Sequence, residues 1–144
     1  MERKIEKIII HCSATKPTQD VGSKEIRSWH MAKGWKDIGY HFVVRRDGKI
    51  ELGRKLDVRG AHARGHNSTS IGVCYIGGVD ENNKPEDNRT EQQLDSLEFL
   101  VSLLWAMFPD ADVMGHCDLP EVTKACPCFD VKNWLESFGD HTSS

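Results

Sequence analysis

The chain has 144 residues, enough for one domain around a single core and short for two independently stable ones. Apolar residues make up 38% and charged residues 28%, which excludes a disordered or fibrous chain and confines expected disorder to the ends. A formal charge of -3 offers no long-range attraction for a nucleic-acid backbone, so no nucleic-acid partner is expected.

No apolar run approaches the roughly twenty residues of a membrane span, and MERKIEKIIIHC lacks the long apolar segment and cleavage site of a signal peptide. The expectation is no membrane insertion and synthesis as a soluble cytoplasmic chain. The five cysteines, Cys12, Cys74, Cys117, Cys126 and Cys128, are odd in number, so at least one is unpaired within a monomer.

In chain order, the β-branched run Ile8 to His11 reads as a buried strand, followed by the loop SATKPTQD. His11 then stands near a strand end, and Cys12 faces the opposite side of the sheet. Ser23 is a predicted cap for a helix through about Lys33, with Glu25 in its first turn, an Ile26/Trp29 apolar pair and Gly34 as its stop. Tyr40 to Arg46 reads as a strand, Asp47-Gly48 as a turn and KIELG as the returning partner.

Ser70 to Ile76 reads as an interior strand ending at Gly77-Gly78, and DENNKPEDN as a polar loop. Thr90 and Gln93 form a capping box for a long helix carrying Leu94, Leu97, Val101, Leu104, Trp105 and Phe108 at helical spacing. Pro109 ends it, ADVMGH reads as a short strand delivering His116 to a rim, and CDLPEVTKACPCF is a loop. Asp130 caps a last short helix with Val131, Trp134 and Leu135, and HTSS is a flexible tail. The predicted fold is a single α/β domain over residues 1–144, or mixed α+β, with a central mixed β-sheet flanked by helices.

His11, His116 and Cys126 can supply three zinc ligands and leave a fourth position for water, the pattern of a catalytic rather than a closed site. Over a hundred residues separate the two histidines, so their meeting depends on both standing at strand ends. The plain alternative is a polar surface histidine and a buried apolar cysteine. His41, His62 and His66 compete as donors, while His30 in a helix and His141 in the tail rank lower.

Four stretches in order, IIIHCSAT, GYHFVVRRDG, GAHARGHNSTSIGV and GHCDLPEVTKACPCFD, cover roughly residues 5 to 135. With them the chain resembles the zinc-dependent N-acetylmuramoyl-L-alanine amidases of the bacteriophage lysozyme type, a branch that also resembles peptidoglycan recognition proteins. The resemblance implies one Zn2+ per chain held by His11, His116 and Cys126, the last at a position where many relatives carry aspartate. It implies that Tyr40 and Lys124 complete the catalytic site. Lys124 would stabilise negative charge as it develops on the amide oxygen, and Tyr40 would orient and stabilise the same atom.

His62 is a candidate substrate-binding residue lining the groove, with a supporting or surface role as the alternative. The implied reaction is hydrolysis of the amide between N-acetylmuramic acid and the L-alanine of the stem peptide, for host lysis by a bacteriophage. Peptidoglycan is the implied partner, met by a monomer made in the host cytoplasm and acting on the wall after a separate release step. Phage relatives also resemble proteins that restrain a phage RNA polymerase, which leaves room for a second, protein-binding role. Two other readings stay open: an inactive peptidoglycan-binding module, and a structural zinc protein in which Cys128 closes the coordination shell.

Overall fold

A computed structural model describes residues 2–138; the predicted HTSS tail and His141 lie outside the described residues. The elements in order are β1 (Lys7–Cys12), α1 (Ser23–Ala32), β2 (Phe42–Val44), β3 (Ile50–Leu52), β4 (Ser70–Tyr75), α2 (Glu91–Met107), β5 (Asp112–Gly115) and α3 (Val131–Glu136). The strands make one sheet in the order β3-β2-β4-β1-β5. Only the β2/β3 hairpin is antiparallel, so β2, β4, β1 and β5 all end at the same rim. This is a single α/β domain with a central mixed sheet flanked by helices.

β1 is an interior strand, flanked by β4 and β5, and is apolar because both of its faces are covered. Ile8, Ile10 and Cys12 point one way, into a core with Ile71, Val73, Tyr75, Val113, the α2 residues Leu97, Leu100, Val101 and Leu104, and Val131 of α3. Alternation sends Ile9 to the other face, where it packs with Ala63, Met114 and Leu119. On that face Ile26 of α1 packs with Val43 and Cys74. His11 shares the side of Ile9, opposite Cys12 as predicted, and is only 2% exposed.

Three local expectations change. Ser23 is the first helical residue rather than the cap: Gly22 takes the cap position and the Glu25 carboxylate accepts its N–H at 2.8 Å. The Ser23 N–H is instead satisfied by Glu51, at 2.8 Å. Within α1 the inward face is Ser23, Ile26 and His30, so Trp29 is 43% exposed and does not pair into the core with Ile26. The predicted strand from Tyr40 to Arg46 keeps a regular ladder only over Phe42–Val44.

The capping box of α2 forms as predicted, with Thr90 Oγ1 accepting from the Gln93 N–H at 3.0 Å and Gln93 Oε1 accepting from the Thr90 N–H at 3.0 Å. Its buried stripe is Leu97, Leu100, Val101 and Leu104, while Trp105 turns outward. Gly34, at φ +92, gives α1 the left-handed stop that a residue without Cβ adopts without strain. Asp130 caps α3 as predicted, its carboxylate accepting from the Asn133 N–H at 3.2 Å.

Candidate metal centre and catalytic site

The sheet register brings the two distant histidines together. Cross-strand partners between β1 and β5 run from Lys7↔Asp112 to Ile10↔Gly115. One residue further on, His11 stands beside His116, and their ring centroids are 4.5 Å apart. His116 begins a short 3-10 turn, His116–Asp118, immediately past β5, which lifts it to the rim of the sheet.

Cys126 arrives from the following loop, and three hydrogen bonds place it. Its carbonyl accepts the Cys117 N–H at 2.8 Å, and the buried Tyr75 hydroxyl donates to the carbonyl of Pro127 at 2.6 Å. The Cys12 backbone N–H donates to Cys126 Sγ at 3.2 Å. One ligand atom each from His11, His116 and Cys126 lies within 4.8 Å of the others, so the trio can coordinate a metal ion.

The electrostatics suit ligation. Burial first, then the neighbouring His62 and His116, holds His11 well below the usual imidazole range, so its ring is neutral and offers a lone pair. Burial, then the Lys124 ammonium, lowers His116 against an opposing pull from Glu121. Two imidazoles and a thiol form a nitrogen–sulfur set of the kind zinc takes. Cys128 is not in the trio: its Sγ faces that of Cys12 at 3.9 Å.

Tyr40 sits just ahead of β2, half-buried, with its ring centroid 5.1 Å from that of His11. Burial, and after it the Cys74, Cys126 and Cys12 thiols, holds the phenol well above its ordinary range, so it stays a hydrogen-bond donor. Lys124 is exposed on the loop two residues before Cys126, close enough for its charge to act on His116. His62 stands against the trio, with Nδ1 2.8 Å from His11 Nε2.

A family model described as N-acetylmuramoyl-L-alanine amidase matches residues 1–129. The chain belongs to this amidase family. It is 50% identical over 129 residues to an endolysin of Klebsiella phage KP32, covering 90% of this chain and 84% of that one. Identity to the endolysin of Escherichia phage T7 is 48% over 129 residues, again covering 90% and 84%. Among solved structures, the N-acetylmuramoyl-L-alanine amidase LysC from Clostridium intestinale superposes with a TM-score of 0.81 at 27% identity, covering 95% of this chain and 87% of that one.

The remaining histidines among the described residues are otherwise engaged. His41 accepts the Gly72 N–H at Nδ1 (3.0 Å) and donates from Nε2 to the Val58 carbonyl (2.8 Å). His66 pairs with Glu121, and His30 Nδ1 accepts the Gly39 N–H. Beside His62 a cavity of about 370 Å³ is lined by Trp35, Ala61, Ala63, Arg64 and Asn67. Trp35 and Arg64 were not singled out in the sequence; Arg64 lies inside the GAHARGHN motif, but a single arginine in a glycine-bounded loop carries no distinguishing spacing.

His41 also gives the amidase an acid sensitivity. Burial is the main cause that lowers it to about 4, with Arg3 and Arg54 adding to the effect and the Val58 carbonyl opposing. Its folded value lies below the ordinary imidazole value of about 6.5, so the unfolded chain binds the extra proton first. The stabilisation is complete above that value and is lost as pH falls toward 4, on the order of 3 kcal/mol. Urea denaturation across this interval checks it: His41→Asn should show a flatter pH dependence than wild type, and parallel curves would reject the assignment.

Proposed function

We propose that the chain hydrolyses the amide between the lactyl group of N-acetylmuramic acid and the L-alanine of the stem peptide, with one zinc ion held by His11, His116 and Cys126. The observation that carries this reading is the convergence of those three donors, from β1, the end of β5 and the loop beyond it, within 4.8 Å at one rim of the sheet. Zinc bound there supplies a Lewis acid and a water acidified toward neutrality, leaving no need for a nucleophilic side chain.

The protein's own groups act around that centre. The Tyr40 hydroxyl donates to the scissile carbonyl oxygen and holds the amide in line for attack. As negative charge grows on that oxygen, the Lys124 ammonium stabilises it more than it stabilises the neutral amide. Neutral His11 stays a ligand throughout because burial penalises its protonated form. Departure of the alanine nitrogen requires a proton, which the attacking water gives up on addition and the Tyr40 phenol, its ring 5.1 Å from that of His11, can pass on.

Likeness to phage endolysins supports a role in host lysis. In this reading the chain is made in the host cytoplasm and reaches the wall after a separate release step. Bacteria producing it should stay intact until their inner membrane is permeabilised; lysis without that treatment would overturn the release step. The bond assignment is tested by digesting purified peptidoglycan and resolving the products. New alanine amino termini without new reducing sugar ends are expected, and reducing ends without alanine termini would overturn it.

A further inference from the structure

Both ring nitrogens of His62 meet side chains. Its Nδ1 lies 2.8 Å from His11 Nε2, and its Nε2 lies 3.1 Å from the hydroxyl of Ser70, the fully buried first residue of β4. His41, its ring centroid 6.0 Å from that of His62, spends both nitrogens on backbone groups instead. The difference marks His62 as part of the site's support.

The geometry points to His62 as a positioning residue that fixes the tautomer and orientation of the metal ligand His11, an inference that rests on the metal-site reading above. A neutral imidazole carries one proton and one free lone pair in its ring plane. With Nε2 of His11 directed at His62, its Nδ1 is the atom left for a metal, so its proton sits on Nε2 and is donated to His62 Nδ1. His62 must then be protonated on Nε2, and it donates to Ser70 Oγ. The opposite direction would put a proton on His11 Nδ1 and abolish its capacity to ligate. Acceptance of the Nε2–H by His62 also makes His11 Nδ1 a better donor to the ion.

The surroundings of His62 are shaped to hold the ring in place. A Cβ on Gly72, in the middle of β4, would fall 2.6 Å from His62 Cγ, and one on Gly60 would fall 2.7 Å from Cδ2. These two glycines make room for the imidazole against the sheet. Asn67 Oδ1 accepts the N–H groups of both His62 and Ala63 at 2.9 Å, pinning the backbone that carries the ring. A side chain whose main task was to meet a mobile glycan would not need its rear nitrogen tied to a buried hydroxyl.

The test compares metal affinity, by competition with a chromophoric chelator, for wild type and the variants His62→Asn, His62→Gln and His62→Ala. Asparagine places an amide oxygen near the position of Nδ1 and keeps an acceptor for His11, whereas glutamine reaches the Nε2 position and leaves that acceptor missing. The expected result is zinc affinity within a few-fold of wild type for His62→Asn and a loss of roughly 10- to 100-fold for His62→Gln and His62→Ala. Cobalt loaded in place of zinc should show an altered visible spectrum in the latter two. In zinc-loaded wild type, 15N spectra should find Nε2 of His11 protonated and Nδ1 of His62 unprotonated.

Equal affinity across all variants, or an asparagine variant as weak as alanine, overturns the inference. So does a change confined to KM with metal binding intact, which would make His62 a substrate contact. Wild-type protein that takes up neither ion overturns the metal-site reading itself, and this inference with it.

Discussion

Cys126→Ser is expected to weaken zinc binding by more than roughly 100-fold and to remove amidase turnover at ordinary metal concentrations, a larger effect than loss of a supporting hydrogen bond brings. Sulfur at this position accepts the Cys12 N–H at 3.2 Å and offers a metal a soft donor. A serine hydroxyl is shorter, harder and protonated near neutrality, and it reproduces neither the reach nor the charge. Cys128→Ser is the matched control. Its sulfur faces Cys12 at 3.9 Å and takes no part in the trio, so metal content and turnover should stay near wild type. Chelator competition on both variants checks the pair, and a reversal of the two effects would show that the neighbouring thiol is the ligand.

Lys124→Ala should lower kcat by about 100- to 1,000-fold while one zinc per chain is retained, because the ammonium is asked to act only when charge develops on the amide oxygen. The side chain is exposed and not one of the three metal donors, so its removal leaves no buried group unpaired. Nothing in the trio needs to rearrange. A soluble muramyl peptide assayed for kcat and KM, with metal measured on the same sample, separates the possibilities. A variant that loses zinc in proportion to its activity would place Lys124 in metal retention instead of transition-state stabilisation.

The sequence made much of this fold readable because its patterns are local. The β-branched run before His11, the Thr90/Gln93 capping box and the Asp130 cap each announce their element within a few residues. The misread details depend on partners from elsewhere. Ser23 lost the cap position because Glu51, from another strand, takes up its N–H, and Trp29 lies outward because α1 turns its Ser23, Ile26 and His30 face to the sheet.

The site divides in the same way. His11, His116, Cys126, Tyr40 and Lys124 stand in the motifs that carry the family likeness. The meeting of His11 with His116 follows from the parallel register of β1 with β5, which periodicity alone does not reveal. Ser70 had no signal at all: it lies eight residues after His62, beyond a turn, and only the fold sets its hydroxyl at the back of that ring. His62 was expected to line the substrate groove; it borders the cavity beside Trp35 and Arg64, and its ring nitrogens meet His11 and Ser70.

The most direct test of the metal centre is a crystal of zinc-loaded protein measured on both sides of the zinc absorption edge. One anomalous peak should lie about 2.0 to 2.3 Å from a nitrogen of His11, a nitrogen of His116 and Cys126 Sγ, with a fourth position held by solvent. A peak ligated by Cys128, or full zinc content with no peak among these three side chains, would contradict it.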